Sequence, residues 1–229
     1  MLPLDESEPP DFPNNILLLD IIATVLDITV TAWKEVLRKE EICATSSEPD
    51  IAGCLGRAMI IEKNKRPGIK SQLRIEEEVG TRSSPEITRT DGRIDIKIIY
   101  SFDEAEYFGM ECKRVSSKDS RLAKQYILGG MMRFVTGKYG LGHNWGALLA
   151  FVIDGNPAES VNLICRQLIN YHRRTHMKSN WIIESGFGTY EHLYHTRHQQ
   201  YSQKSLMTIL HFFLSIAAIA SETSEIMSS

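Results

Sequence analysis

The sequence predicts an α/β fold: a mixed central sheet flanked by helices, with one extra helix at the N-terminus. Three observations carry this. Segments of helical and strand-like period follow one another in the order α-α-β-β-β-α-β-α-β. Gly92–Val115 (GRIDIKIIYSFDEAEYFGMECKRV) reads as two short strands joined by a polar turn, hence as antiparallel neighbours. Trp145–Ile153 (WGALLAFVI) is a continuous apolar run, the pattern of a strand covered on both faces, and the helix before it supplies the crossover that lays it parallel.

Residues 1–46 form an acidic arm and the N-terminal helix. Met1–Asn14, with four prolines and four acids, predicts a loose arm. Asn15–Glu40 predicts a long helix. Asp20, Thr24, Asp27, Thr31, Glu35 and Arg38 draw a narrow polar stripe on an otherwise apolar rod, which must be covered by this chain or by a partner or second copy.

Residues 47–220 form the main domain, and 221–229 a frayed tail. Ser47-Glu48-Pro49-Asp50 places a capping hydroxyl, an early proline and an acid three residues after the cap, so a helix starts here and runs to about Lys65, before Pro67-Gly68. Its inward stripe of Ile51, Leu55, Ala58 and Met59 is prolonged by Glu62, which either snorkels from the helix end or faces a site. Gln72–Arg82 predicts a strand with Leu73, Ile75 and Val79 as its apolar positions, and Ser83–Asp91 a polar loop.

In the hairpin, Ile94, Ile96 and Ile98 alternate with Arg93, Asp95 and Lys97. Phe108, Met110 and Cys112 share one face of the next strand, which leaves Glu111 and Lys113 side by side on the other. Arg121–Thr136 predicts a helix with Leu122, Tyr126, Gly130, Met131 and Phe134 on its apolar face, and Arg121, Lys124, Gln125 and Arg133 elsewhere. Gly129-Gly130 in mid-helix costs about 1 kcal/mol per glycine relative to alanine, which a close approach to the sheet or to a ligand would explain. Pro157–His176 predicts a helix, Trp181–Glu184 a short strand, and Gly186–Gln200 a loop rich in His and Tyr. Ser205–Ala220 predicts a strand or short buried helix; it is shorter than the roughly 20 residues a membrane span needs and contains His211.

The net charge of −3 hides an asymmetry. Residues 1–50 hold eleven acids against three Lys/Arg, whereas the remainder holds eighteen acids against twenty-three bases. Six bases fall within Arg57–Arg74 and seven within Lys113–Lys138, each against a single acid, a balance compatible with phosphate binding or with solvated helix faces. Four scattered cysteines without a C-x-x-C pair and the lack of a signal-peptide pattern predict reduced thiols and a cytoplasmic setting. Zinc is not favoured, since His172, His176, Glu191, His192, His195 and His198 form no H-E-x-x-H; these histidines read as solvated or phosphate-facing, alongside Arg173, Arg174 and Arg197. Gly137-Lys138 lacks the phosphate-loop spacing, and Gly186-Phe187-Gly188 lacks the dinucleotide fingerprint.

A helix bearing an acid, a strand, a strand with Asp95, a strand with Glu111-Cys112-Lys113, a helix and another strand together resemble the PD-(D/E)xK nuclease superfamily, of restriction-endonuclease-like fold. The resemblance covers roughly residues 47–155, with no proline before Asp95 and Gly129 where some members carry a tyrosine. It implies a Mg²⁺-dependent (or Mn²⁺-dependent) endonuclease acting on DNA, an effector in prokaryotic anti-phage defence or restriction, working with a protein partner or as an oligomer. Asp95, Glu111 and Lys113 would be catalytic, with Glu62 and Gln125 as additional candidates. Asp95, Glu111, the Cys112 carbonyl and Glu62 would hold the metal, and Arg121, Lys124, Arg133 and Lys138 would contact DNA. The chemistry stands without the name: Mg²⁺ needs only one or two carboxylates beside phosphate and water, and a lysine next to them can orient or help deprotonate that water and offset charge. The competing readings are a surface ion pair on a hairpin, a non-catalytic nucleic-acid-binding or assembly subunit that keeps the fold, and cleavage of RNA in place of DNA.

Overall fold

The computed structural model describes residues 14–81, 92–101, 106–179, 182–183, 187, 190–201, 203 and 206–216. The polar loop and the tail expected at 83–91 and 221–229 lie outside them. Helices α1 (Asn14–Arg38) and α2 (Glu48–Asn64) and the single turn α3 (Pro67–Lys70) precede strands β1 (Arg74–Thr81), β2 (Gly92–Ile99) and β3 (Tyr107–Val115). The chain continues through α4 (Ser120–Gln125), a π-helical turn (Tyr126–Met131), α5 (Met132–Val135), β4 (Trp145–Val152) and α6 (Pro157–Tyr171), then β5 (Ile182–Ile183), β6 (Leu193–Gln199) and β7 (Leu206–Ser215). The strands form one mixed sheet in the order β1-β2-β3-β4-β7-β6-β5. β1, β2 and β3 are successively antiparallel, β3, β4 and β7 run parallel, and β6 and β5 return antiparallel.

Helices cover both faces. Against one face, α1 and α2 bury Ile22, Leu26, Ile51, Leu55 and Met59 on Ile96, Met110, Leu149 and Phe212. Against the other, α4, the π turn, α5 and α6 bury Tyr126, Phe134, Val161 and Ile164 on Leu148, Ala150, Ile209 and Phe213. Apolar surface removed from water on both sides is the main stabilising term of such a sandwich. The buried residues of α1 thus pack on α2 and on this chain's own sheet. Trp33 stacks on Phe151 at 5.4 Å and donates its indole N–H to the Ser215 carbonyl at 3.1 Å. Ser47 caps α2 as its sequence requires, accepting the Asp50 N–H at 3.3 Å.

Four expectations need correction. First, Gly186–Gln200 is not simply a loop, because Leu193–Gln199 forms β6 between β5 and β7. Its polar residues Thr196 and His198 are buried, so no hydrophobic alternation marks it. Second, the helix over Arg121–Thr136 contains a π turn, in which the Met132 N–H reaches the Ile127 carbonyl. Third, helix α6 stops at Tyr171, with turns through His176. Fourth, Ile94 does not share a face with Ile96 and Ile98. It packs on the side of α4 and the π turn, over Gly109, whose missing Cβ leaves the space for its methyl group. The strand's alternation changes at Asp95. Within Ser205–Ala220, open between strand and helix, Leu206–Ser215 forms β7. Among the described residues no helix is long and apolar enough to cross a membrane, and the four cysteines are free.

Candidate active site

The site grows from a break in the sheet. β2 pairs with β3 from Ile99↔Tyr107 to Ile96↔Met110, and among the described residues the only strand partner of β3 beyond Met110 is β4. Backbone groups left without a strand neighbour need other partners. Two carboxylates supply them. Asp95 Oδ2 accepts the Cys112 N–H at 2.6 Å, and Glu48 Oε2 accepts the Arg114 N–H at 3.0 Å. The same stretch offers the Cys112 carbonyl, which accepts from Lys113 Nζ at 2.7 Å. Asp95, Glu48 and Lys113 therefore gather along one open edge because the ladder ends there.

Glu111 and Lys113 lie on the face away from α1 and α2, as their alternation with Met110 and Cys112 requires. Glu111 is wholly buried and Lys113 nearly so. Lys113 Nζ stands 2.6 Å from Glu48 Oε1 and 2.7 Å from Glu111 Oε1. Arg133 Nη1, from α5, stands 3.2 Å from the same Glu111 oxygen and also bonds Tyr139 Oη, which in turn donates to the Arg93 carbonyl. Glu111 Oε1 is thus shared by both cations, and Arg133 Nη1 also reaches Glu111 Oε2 at 3.4 Å. A glycine in the π turn leaves room for this arrangement. A Cβ at Gly130 would stand 3.2 Å from Lys113 Cγ and 2.8 Å from Leu148 Cδ2, so only glycine lets the lysine lie flat beneath the helix.

The electrostatics follow from burial and crowding. Desolvation, then the nearby Asp95 charge, pushes Glu111 up to about 7 despite Lys113 and Arg133. Desolvation also raises Asp95, against the pull of the Cys112 N–H and Lys113. For Lys113 burial opposes the charge, but Glu111 and Glu48 outweigh it and hold the ammonium above its ordinary value. Three carboxylates face two cations, so the ionised cluster carries one uncompensated negative charge. By charge, this is a place that would take a further cation. The donors are all hard oxygens (Asp95, Glu111 and the Cys112 carbonyl), which suits Mg²⁺ or Mn²⁺ better than a softer metal. Among the described residues, no three His, Cys, Asp or Glu side chains converge as a ligand group by themselves.

Asp95, Glu111, Cys112 and Lys113 are therefore brought together, and Arg133 joins them. Arg133, expected off the apolar face of its helix and as a DNA contact, has its Nη1 against Glu111 and Tyr139. Glu62 is not brought there. It sits at the far end of α2, fourteen residues and about 21 Å from Glu48 at 1.5 Å per residue, and pairs with Lys65. Gln125, Arg121 and Lys124 are exposed on α4, with Arg121 paired to Asp119, and Lys138 is half-buried in the turn after α5. The residue the sequence reading missed is Glu48. Its first-turn position reads as an ordinary dipole-complementing acid, and only the fold carries it to Lys113.

His198 and His211, expected among solvated or phosphate-facing histidines and within an apolar run respectively, are both buried. They belong to a neutral chain of bonds on the same side of the sheet. Tyr126 Oη meets His211 Nδ1 at 2.8 Å, and Thr196 Oγ1 meets His211 Nε2 and His198 Nε2 at 2.7 Å each. His198 Nδ1 meets the Thr175 carbonyl at 2.8 Å.

No family model matches this chain, and no match is found among curated proteins or among solved structures. What the fold and site define is a mixed α/β protein with a buried acid–lysine cluster at an open strand edge.

Proposed function

We propose that this protein is a metal-dependent nuclease of restriction-endonuclease-like fold that hydrolyses DNA phosphodiester bonds. The observation that carries the reading is the cluster itself. Asp95, Glu111 and the Cys112 carbonyl converge with Lys113 where β2 leaves β3. The succession α2-β1-β2-β3-α4-β4, with β3 and β4 parallel, agrees with the resemblance read from the sequence.

Asp95, Glu111 and the Cys112 carbonyl would hold Mg²⁺ or Mn²⁺, which when bound supplies Lewis acidity toward the phosphate and an acidified water. The protein's own groups do the rest. Lys113 stays an ammonium, since Glu111 and Glu48 hold its proton. It therefore acts as a donor that orients the attacking water and offsets charge building on the phosphate, not as the base. Arg133 adds a second fixed cation beside Glu111. Burial of Glu111 beneath the π turn keeps competing water away from the carboxylate.

The test is cleavage of supercoiled and linear DNA with Mg²⁺ or Mn²⁺, by wild type and by Asp95→Ala, Glu111→Ala and Lys113→Ala. Activity in the wild type and its loss in folded variants is the expected result; full cleavage by all three variants refutes the site. One observation favours a second reading. Lys113 is tied to three oxygens at once, which would also suit a non-catalytic nucleic-acid-binding or assembly subunit, and DNA binding indifferent to chelator would select it.

A further inference from the structure

We infer that Glu48 is a positioning residue that docks Lys113: when a divalent cation takes Glu111 and the Cys112 carbonyl, the ammonium shifts onto Glu48 and stays in the site. The inference rests on the nuclease reading for the identity of the cation's ligands.

Three observations lead to it. Lys113 Nζ is surrounded by Glu48 Oε1 at 2.6 Å, Glu111 Oε1 at 2.7 Å and the Cys112 carbonyl at 2.7 Å. Two of these three oxygens belong to the donor set that fits a metal. An ammonium and a divalent cation cannot share them, because at such separations like charges repel strongly in a partly buried site. The third oxygen is outside that set and is aimed. Glu48 Oε2 is fixed by the Arg114 N–H, the residue stands in the first turn of a helix capped by Ser47, and its Oε1 is thereby turned toward Nζ. The lysine's long stem, held beneath Gly130, already reaches Glu48 Oε1, so its end can leave Glu111 Oε1 and the Cys112 carbonyl for that single oxygen without moving the backbone. Glu48 thus separates two tasks that otherwise compete for Glu111: holding a metal and holding the lysine.

Calorimetric titration with Mn²⁺ tests this without any substrate. Lys113→Met, which keeps the stem and removes the charge, should bind Mn²⁺ about tenfold or more tightly than wild type, since close charge pairs couple by at least that much. Glu48→Gln should bind more weakly than wild type, because Lys113 then has nowhere else to go. The decisive measurement is the double variant. If Glu48 acts through Lys113, Glu48→Gln changes nothing in the Lys113→Met background. Should it weaken Mn²⁺ binding equally in both backgrounds, Glu48 is a ligand in its own right and the inference is overturned. Equal or weaker binding by Lys113→Met, or no binding by any folded form, overturns it as well. Thermal melting of each variant separates a folding defect from these outcomes. Absence of DNA cleavage by a wild type that behaves as described here would sink the nuclease reading alone.

Discussion

Two buried polar assemblies lie on the same face of the sheet, and they are built on opposite rules. In the neutral one, every group finds one matching partner. If His198 Nδ1 donates to the Thr175 carbonyl, its Nε2 must accept from Thr196. Thr196 then accepts from His211 Nε2, and His211 Nδ1 accepts from Tyr126. Nothing is left over, so the assembly needs no further ligand and acts as a cross-link between β6, β7 and the π turn. The charged one, around Asp95, Glu48, Glu111, Lys113 and Arg133, has an excess carboxylate and one lysine shared among three oxygens. A buried polar network that closes on itself specifies a structure. One that does not close is destabilising as it stands, and such arrangements are found where chemistry is done.

That contrast can be broken most forcefully by activity. Asp95→Ala, Glu111→Ala or Lys113→Ala should each lower DNA cleavage by about 10² to 10⁴, the range for removing a participating group. Tyr126→Phe should leave cleavage within about twofold, because it touches only the closed network. If Tyr126→Phe were as damaging as Lys113→Ala, the division between the two assemblies would be wrong.

Stability should show the reverse order. His211→Ala strands Tyr126 and Thr196 and opens space in the core, a loss of about 3 kcal/mol in urea unfolding. Glu111→Gln removes a crowded buried charge and should cost less than about 1 kcal/mol, or even stabilise the metal-free protein.

Acidity sharpens the comparison, since the two assemblies have opposite slopes. Glu111 is raised from its ordinary 4.5 to about 7 by burial and by Asp95, so the folded state binds more protons than the unfolded one between those values. Its contribution to stability is complete below about 4.5 and is lost as pH rises through about 7. His198 is lowered by burial from 6.5 to about 4, so its contribution is complete above 6.5 and is lost as pH falls toward 4. Unfolding of wild type and Glu111→Gln in chelator should therefore diverge between pH 4.5 and 7, with the variant gaining relative stability as pH rises. Parallel curves would show that Glu111 is not protonated on folding.

The smallest effect contrasts two adjacent glycines. At Gly130 a methyl group would meet Leu148 Cδ2 at 2.8 Å and Lys113 Cγ at 3.2 Å, whereas at Gly129 it meets only Lys113 Cε at 3.9 Å. Gly130→Ala should cost about 1–2 kcal/mol after its gain in helix propensity, and should weaken cleavage by displacing Lys113. Gly129→Ala should be neutral or stabilising by up to about 1 kcal/mol. Equal melting temperatures for the two variants would mean that the helix does not lie against Lys113 as described.

The sequence was most legible where local rules and packing agree. Ser47 caps its helix, Trp145–Val152 is buried on both faces, and Glu111 and Lys113 share a face because Phe108, Met110 and Cys112 take the other. It was least legible where polar residues are buried. β6 reads LYHTRHQ, and nothing in that string announces a strand in the core, because Thr196 and His198 are made tolerable by partners far away in the chain. The same blindness explains the choice of Glu62 over Glu48. An acid that extends an apolar stripe attracts notice, while one in a first helical turn has a sufficient local explanation. Which of them meets Lys113 depends on how α2 lies across the end of β3, a tertiary fact. Ile94 changes face for a related reason: Asp95 gives its carboxylate to Cys112, and the regular pleat is interrupted there.

The bonds that finish the edge of β3 also make two backbone amides into reporters. The amide hydrogen of Cys112 senses Asp95 and that of Arg114 senses Glu48, each through a single side-chain oxygen. In an isotope-labelled sample their resonances would follow the two carboxylates separately: the first would register an ion arriving, the second the lysine changing partner. The same peptide groups that lost their neighbouring strand thus carry a built-in readout of the chemistry performed beside them.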